Sequence, residues 1–394
     1  MSDNNIQIEI DGNNLSDYID GSVSIQLDQF CNSFNFTTTK SLVGEYNIFP
    51  EETCRIFING KVAITGVIDS VSPSEDADSS TVSVSGRDRT CDVVDSDLPI
   101  GISLSGNFTL QTVIEKILTA LGLTDIKVVN EIDDLRSFTS ADIVSAEVDK
   151  NCFDFINEYA QKVSALLVTN AEGNIVITRA GSKRYSDKLL NDIGNEDNNI
   201  ISSSAGYDYS QRYNKYIVYS QSNTNTQTSN VSISNVAQKG IAIDDEIRPS
   251  RVMVQKANNA CSSENCEEIA TLEANIRRAN SLKYSCEVYG FETNDGNLWE
   301  VNRLIQVYDI DADIDSELLI KGITFNMGSS GSTTSIELAL ADAYTLQASM
   351  DEVNGRTNKT KTAKKKKSKK SEKKKSKKSE KQLSDAEMKE ILGF

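Results

Sequence analysis

The sequence predicts a mostly β protein of the α+β class, and three patterns carry that expectation. Short runs alternate apolar and polar residues over much of the chain, as in Ile6, Ile8 and Ile10 and again in Ile336, Leu338 and Leu340. That is the period of half-buried strands. Asn59-Gly60 stands between Ile56 and Ile58 on one side and Val62 and Ile64 on the other, the turn chemistry of a tight hairpin. Only three stretches show the 3.6-residue period of amphipathic helices.

In chain order, Ile6 to Ile10, the run 23–27, Phe34-Asn35-Phe36 and the hairpin over 54–68 read as short strands. A polar, acidic break over 73–80 follows, then Thr81 to Ser85 with Val82 and Val84 on one face, ended by Gly86-Arg87-Asp88-Arg89. Such a series suggests a small barrel or sandwich, placed at residues 1–98 with completion by later segments allowed. Residues 99–182 read as a small α+β domain. Its first helix carries Leu110, Val113, Ile114, Ile117, Leu118 and Leu121, with Thr109 as cap and Gly122 as stop. Its second carries Cys152, Phe155, Ile156, Tyr159, Ala160 and Val163 behind Asn151, and runs into a hairpin pairing 165–168 with 175–178.

Residues 183–348 are expected to form a second barrel with a long polar loop at 223–235 and one helix. The stretch to 250 is rich in Asn, Ser and Asp, with one strong strand at 213–219. A helix opens at Ser262 or Ser263 with Glu264, Glu267 and Glu268 early and Arg277-Arg278 late, the charge order that complements its dipole. Strands at 284–291, 298–308, 318–326 and 335–340 follow. Beyond them, 349–382 reads as a disordered linker. It holds the repeat KKSKKSEK twice, and repelling charge with almost no apolar content cannot offset the entropy of ordering. Residues 383–394 read as a short docking peptide: Ser384 and Glu387 make a capping box, and Leu383, Met388, Ile391, Leu392 and Phe394 are apolar. So short a helix is expected to fold only against a partner.

Charge divides the chain. Residues 356–381 hold 15 basic against two acidic residues, +13, while residues 1–355 carry −28 within a net charge of −17. An acidic body disfavours nucleic acid as a surface ligand, suits the wall of a channel through which DNA slides, and equally serves solubility alone. The lysine run could be a non-specific nucleic-acid arm, a tether for the terminal peptide, or a segment lying on acidic surfaces of its own assembly. Seven scattered cysteines suit reduced thiols, and neither a leader nor a membrane span is visible.

With no histidine in the chain, Ser-His-Asp triads, Cys-His dyads and His-ligated metals are excluded. Cys261 and Cys266 lack a second pair at zinc spacing. Asp309, Asp311, Asp313, Asp315 and Glu317 alternate like the start of a calcium loop, but Ile314 and Ile320 stand where Gly and Glu are required; a solvent-facing strand edge or turn is preferred. No catalytic residue, metal or cofactor is expected.

The block 54–98, and above all V-S-V-S-G-R-D-R-T followed by Asp92-Val93-Val94-Asp95, resembles the baseplate hub proteins of contractile-tailed, Mu-like bacteriophages, the late-control D group. Gly60, Gly66, Gly86, Arg87, Asp92 and Asp95 lie in its strongest motif. Gly296-Asn297-Leu298-Trp299-Glu300-Val301-Asn302 is similar to the family's G-x-L-W-x-P-N turn, with Val301 in place of Pro. Asn32 to Phe36, Phe153 to Ala160, Gly173 to Ile177, Arg212-Tyr213, Arg277-Arg278-Ala279 and the run 333–340 follow in the family's order. The resemblance covers about 6–346 and excludes the C-terminal tail.

The resemblance implies two tube-like β-barrel domains per subunit and a homotrimeric, pseudo-sixfold ring. That ring would join the tail tube to a central spike, with channel space for passing DNA. Partners would be further copies, the spike, and tube, tube-initiator or tape-measure proteins. No reaction and no membrane insertion are implied, and the place would be the virion baseplate after assembly in the host cytoplasm. The motif positions are read as serving the scaffold, Gly60 and Gly86 through backbone angles and Trp299 in a core or interface. Competing readings are the hub of a non-viral contractile injection machine, a tail-associated cell-wall hydrolase, and a lysine-tailed nucleic-acid-binding module.

Overall fold

A computed structural model describes residues 4–10, 12–15, 19–39, 48–77, 80–140, 143, 149–220, 238–257, 262–329 and 331–344. The expected loop at 223–235, Cys261, the linker 349–382 and the terminal peptide with Leu383, Met388, Ile391, Leu392 and Phe394 lie outside them.

The chain opens with β1 (Ile6–Ile10), β2 (Asn13–Leu15), β3 (Asp20–Gln26), β4 (Ser33–Thr39), β5 (Thr53–Ile58), β6 (Lys61–Glu75) and β7 (Ser80–Asp88). Alternation in sequence becomes alternation in burial: Ile6, Ile8, Ile10, Val82 and Val84 all face the core. Asn59 and Gly60 take φ of 50° and 75°, the two positive values a type I′ turn needs. The polar break is shorter than expected, because β6 runs on through Pro73, which stands opposite Val82.

Next come α1 (Cys91–Asp95), α2 (Leu110–Leu121), β8 (Val128–Asn130), α3 (Cys152–Lys162), β9 (Leu166–Thr169) and β10 (Ile175–Thr178). The expected caps are in place: Thr109 accepts from Thr112 N, and Asn151 accepts from Phe153 N and Asp154 N. β10 is the centre of a three-stranded sheet, parallel to β8 and antiparallel to β9. The helices bury their stripes on Ile175 and Ile177, forming a core of their own.

The last part holds β11 (Lys183–Asn191), β12 (Ile200–Tyr207), β13 (Lys215–Tyr219), β14 (Lys239–Ile243), β15 (Val252–Lys256), α4 (Ser263–Ala279), β16 (Leu282–Tyr289), β17 (Arg303–Asp309), β18 (Ile314–Gly328) and β19 (Gly331–Ala339). Strands β11, β12 and β14 were not expected in the Asn/Ser-rich stretch, nor β15 just beyond it. β12 reads as loop because all its residues after Ile200 are exposed, and its pairing with β16 comes from backbone hydrogen bonds. β13 is flanked by β14 and β15 in a second small sheet, with α4 against it around a third core.

All remaining strands join one sheet of 13 among the described residues, ordered β12-β16-β19-β18-β3-β4-β7-β6-β5-β1-β2, with β17 on β18 and β11 on β17. The mostly β, α+β class is as expected, but the described ladders do not close into two barrels. β18 explains why. Its first residues pair with β17, and its later ones, from Gly322 opposite Gln26 to Met327 opposite Gly21, pair with β3. The edge that would close the N-terminal strands on themselves is thereby taken. Around the C-terminal strands, β11 and β12 form no ladder and meet through a few hydrogen bonds, among them Asn199 N on Leu190 O at 3.2 Å and Asn191 Nδ2 on Ser203 Oγ at 3.1 Å.

Candidate functional site: the junction at the end of β7

Three consecutive residues at the end of β7, Arg87, Asp88 and Arg89, tie the large sheet to the helical unit. Gly86 and Gly66 come first, because β6 and β7 press together at these positions. A Cβ on Gly66 would lie 1.9 Å from Arg87 O, and one on Gly86 would lie 2.1 Å from Val67 O and 2.4 Å from Phe34 Cζ. Gly86 lacks the left-handed φ that Gly60 has. The expectation that it serves a backbone angle is therefore corrected: it serves close approach.

Arg87 forks between two carboxylates. Its Nε and Nη2 donate to Asp69 at 2.7 and 3.1 Å, and its Nη1 and Nη2 donate to Asp95 at 3.1 and 2.7 Å. The guanidinium holds the Asp95 carboxyl below its ordinary range. Asp92 is exposed and takes no part in this fork. Asp69, which the sequence reading missed, falls in the register shift between Ile68 and Ser70, where a bulge re-aims the side chain.

Asp88 is fully buried and accepts from Asn32 N at 2.8 Å, Thr90 N at 3.1 Å and Thr169 Oγ1 of β9 at 2.8 Å. Arg89 then donates to Gly173 O and Asn174 Oδ1, both at 3.1 Å, while Thr65 Oγ1 donates to Ala171 O at 3.0 Å. Successive side chains thus bind the end of α1, then β9, then the β9–β10 turn. The sequence reading singled out Gly86 and Arg87 but not Asp88 or Arg89. The available signal was a run of three ionisable residues, Arg87, Asp88 and Arg89, where a strand hands over to a helix.

A second set of ties lies across the unit. Asn302, at φ 62°, donates its N–H to Ile320 O at 2.9 Å, accepts from Gly181 N at 2.8 Å and donates through Nδ2 to Arg179 O at 2.9 Å. Trp299 is buried in the main core, its ring edge-on to Tyr185 at 5.5 Å and 71°. Burial pushes the Tyr185 phenol up to about 12, and its oxygen accepts from Glu300 N at 2.8 Å. Gly60 belongs to neither set: nothing lies within 4 Å of where its Cβ would stand, and its neighbour Lys61 donates to Glu292 at 3.1 Å, outside the helical unit.

Between the two sets lies a cleft of about 440 Å³ lined by Ile25 and Phe325 of the large sheet, Val168 and Val176 of the small one, and Trp299 and Val301. At its rim burial would raise the Glu131 carboxyl, but Lys183 at 3.0 Å and Thr178 at 2.9 Å outweigh burial and hold it low. What this arrangement does chemically is fix the relative position of two layers. Asp309 needs a correction of another kind. The preferred reading of its run as solvent-facing fails for this residue, which is buried and accepts from Tyr284 Oη at 2.7 Å and Asn191 Nδ2 at 3.1 Å. It closes the turn before β18 by accepting from Asp311 N and Ala312 N, while Asp311, Asp313 and Asp315 are exposed.

Comparison with known proteins matches the same architecture. The family model for the Mu phage baseplate assembly protein GpP-like N-terminal domain matches residues 5–88, and that for the fourth domain of Mu phage baseplate assembly protein GpP matches residues 262–347. Baseplate hub protein gp44 of Escherichia phage Mu is 25% identical over 312 residues, 77% of this chain and 79% of gp44. A 43 kDa tail protein of prophage MuSo2 from Shewanella oneidensis shares the fold with a TM-score of 0.72 at 23% identity, over 86% of this chain and 99% of that one. A tail protein from Neisseria meningitidis MC58 does so at 0.70 and 18% identity, over 88% and 99%.

Proposed function

We propose, from the premise that the chain carries the first and fourth domains of the Mu baseplate GpP family and is a homologue of a Mu baseplate hub protein, that it is the structural hub of a contractile phage tail. The observation that carries this reading is the ladder between β3 and β18. It joins a strand of the first family domain to one of the fourth, from Gly322 opposite Gln26 to Met327 opposite Gly21. Each chain thus offers two strand-rich halves locked at a fixed angle. Three chains in a ring would present six such halves, which supports an adaptor between a sixfold tail tube and a threefold spike. Closed cyclic assembly of one chain type needs no further component.

In this reading the partners are two further copies, the central spike, and tube, tube-initiator or tape-measure proteins, and the place is the virion baseplate after assembly in the host cytoplasm. The acidic body, −28 over residues 1–355, supports a channel wall that DNA slides past without adhering. The residues 349–382 form the linker and 383–394 the docking peptide, with Leu383, Met388, Ile391, Leu392 and Phe394 as its apolar anchors. No reaction is assigned, and measurable peptidoglycan release by the purified chain would overturn that. Native mass spectrometry of the full chain tests the hub reading: a trimer is expected, and a monomer at every concentration sinks it. Tail assembly that survives deletion of 356–394 would refute the docking role.

A further inference from the structure

The second small sheet has two unlike faces. α4 covers one of them: Tyr216 and Val218 lie in the third core, and a Cβ on Gly240 would fall 1.9 Å from Glu267 N of the helix. Side chains alternate along a strand, so the intervening residues share the other face. Register places Ile241, Ile217 and Val254 in one row across the three strands. Ile243, Lys215 and Val252 form the next row, and Lys239, Tyr219 and Lys256 the one beyond. Ile243 is 64% exposed, Val254 61% and Val252 45%. On a body of charge −28 this is an aliphatic patch with a lysine rim.

A surface of opposite character stands where β11 and β17 end. These strands are parallel and finish side by side, Asn191 opposite Asp309, with Ile310 N donating to Asn191 O at 3.2 Å. Just past them Ile193 is 85% exposed and Ile310 57%, among the exposed carboxylates of Glu196, Asp197, Asp311 and Asp313. Two isoleucines in an acidic setting are the complement of an aliphatic patch with a basic rim.

We propose that the outer face of the β14-β13-β15 sheet docks on the acidic, isoleucine-bearing end of β11 and β17 in a second copy of this chain. The contact joins two different patches, so it repeats head to tail and closes into a ring when the rotation allows. The inference rests on the trimeric reading above and adds to it the surfaces that make the ring.

The test starts from two full-length variants. Ile243→Asp with Val254→Asp spoils the sheet face and leaves the acidic end; Ile193→Lys with Ile310→Lys does the reverse. All four positions are exposed, and far-UV circular dichroism and thermal melting check that both variants fold. A third variant, Lys239→Glu with Lys256→Glu, changes the rim charge alone and weakens assembly in the same way. Native mass spectrometry is expected to show a wild-type trimer, each variant alone as monomer, and an equimolar mixture of the first two as dimer, because one intact face and one intact end remain. A wild-type trimer whose variants still trimerise overturns the interface and leaves the trimer standing, and a mixture that stays monomeric shows that face and end do not meet. A wild-type monomer overturns the trimer and the interface together.

Discussion

The two small sheets are built alike and used differently. Each has a central strand parallel to one neighbour and antiparallel to the other, β8-β10-β9 in the first and β14-β13-β15 in the second, with helices on one face. In the first, all four residues of β10 are buried, since its outer face lines the cleft against the large sheet. In the second, β13 alternates between buried and half-buried. The same supersecondary unit is thus a fully enclosed layer in one place and a one-sided layer in the other. What differs is the polar stapling: Asp88, Arg89 and Asn302 fasten the first unit to the large sheet, whereas the second is held together from within.

That internal hold is a buried ion network. Arg212 and Asp244 are almost fully buried, and Arg212 donates to Asp244 at 2.8 to 3.0 Å, while Arg278 also reaches Asp244 at 3.0 Å. The largest effect on the comparison is therefore expected from Arg212→Ala. Leaving Asp244 buried with one partner fewer costs about 3–5 kcal/mol, and hydrogen exchange should show 213–219 opening while β10 stays protected. Equal loss in both sheets would break the view that each unit has its own support. Next, Asp88→Asn keeps the volume but turns one acceptor oxygen into a donor, set against either Asn32 N and Thr169 Oγ1 or Thr90 N, at about 2 kcal/mol. Here the order reverses, and 166–178 should lose protection first.

Acid is expected to act on the second unit with a smaller effect. Burial would raise the Asp244 carboxyl, but Arg212 and Arg278 outweigh it and hold it below its ordinary value. A group depressed in the folded state stabilises above its unfolded pKa, near ~3.9, and that contribution is lost as pH falls through the folded value. Protection of 213–219 should therefore decline on acidification below about pH 4, and a flat profile there would remove Asp244 from the account. The smallest effect is expected from Val254→Asp made in the Ile193→Lys, Ile310→Lys background, where no second copy covers that face; there it should change the unfolding free energy by no more than about 0.5 kcal/mol. A large loss would show that this face is covered within the chain itself.

Much of this was legible in the residues. The hairpin at Asn59-Gly60 and the caps Thr109, Asn151 and Ser262 were readable because local chemistry alone decides them. Trp299 was placed in a core or an interface, and it lies in the core. The branching of the large sheet was not legible, because it depends on β18 serving β17 and β3 in turn, a pairing separated by some three hundred residues. β12 escaped because strand pairing needs no apolar residue, and Asp88 escaped because a buried carboxylate looks in sequence like a solvated one. Arg212 was noted only as part of a resemblance, since its partner Asp244 lies 32 residues on.

β18 has a mechanical meaning as well. Its fifteen residues span roughly 50 Å at about 3.3 Å per residue, and one extended backbone therefore runs through both halves of the molecule. A pull on either half passes along covalent bonds already drawn nearly straight, with the flanking ladders loaded in shear instead of being peeled one bond at a time. In the hub role proposed above, a contracting machine would move it as a stiff strut, with its two halves arriving together.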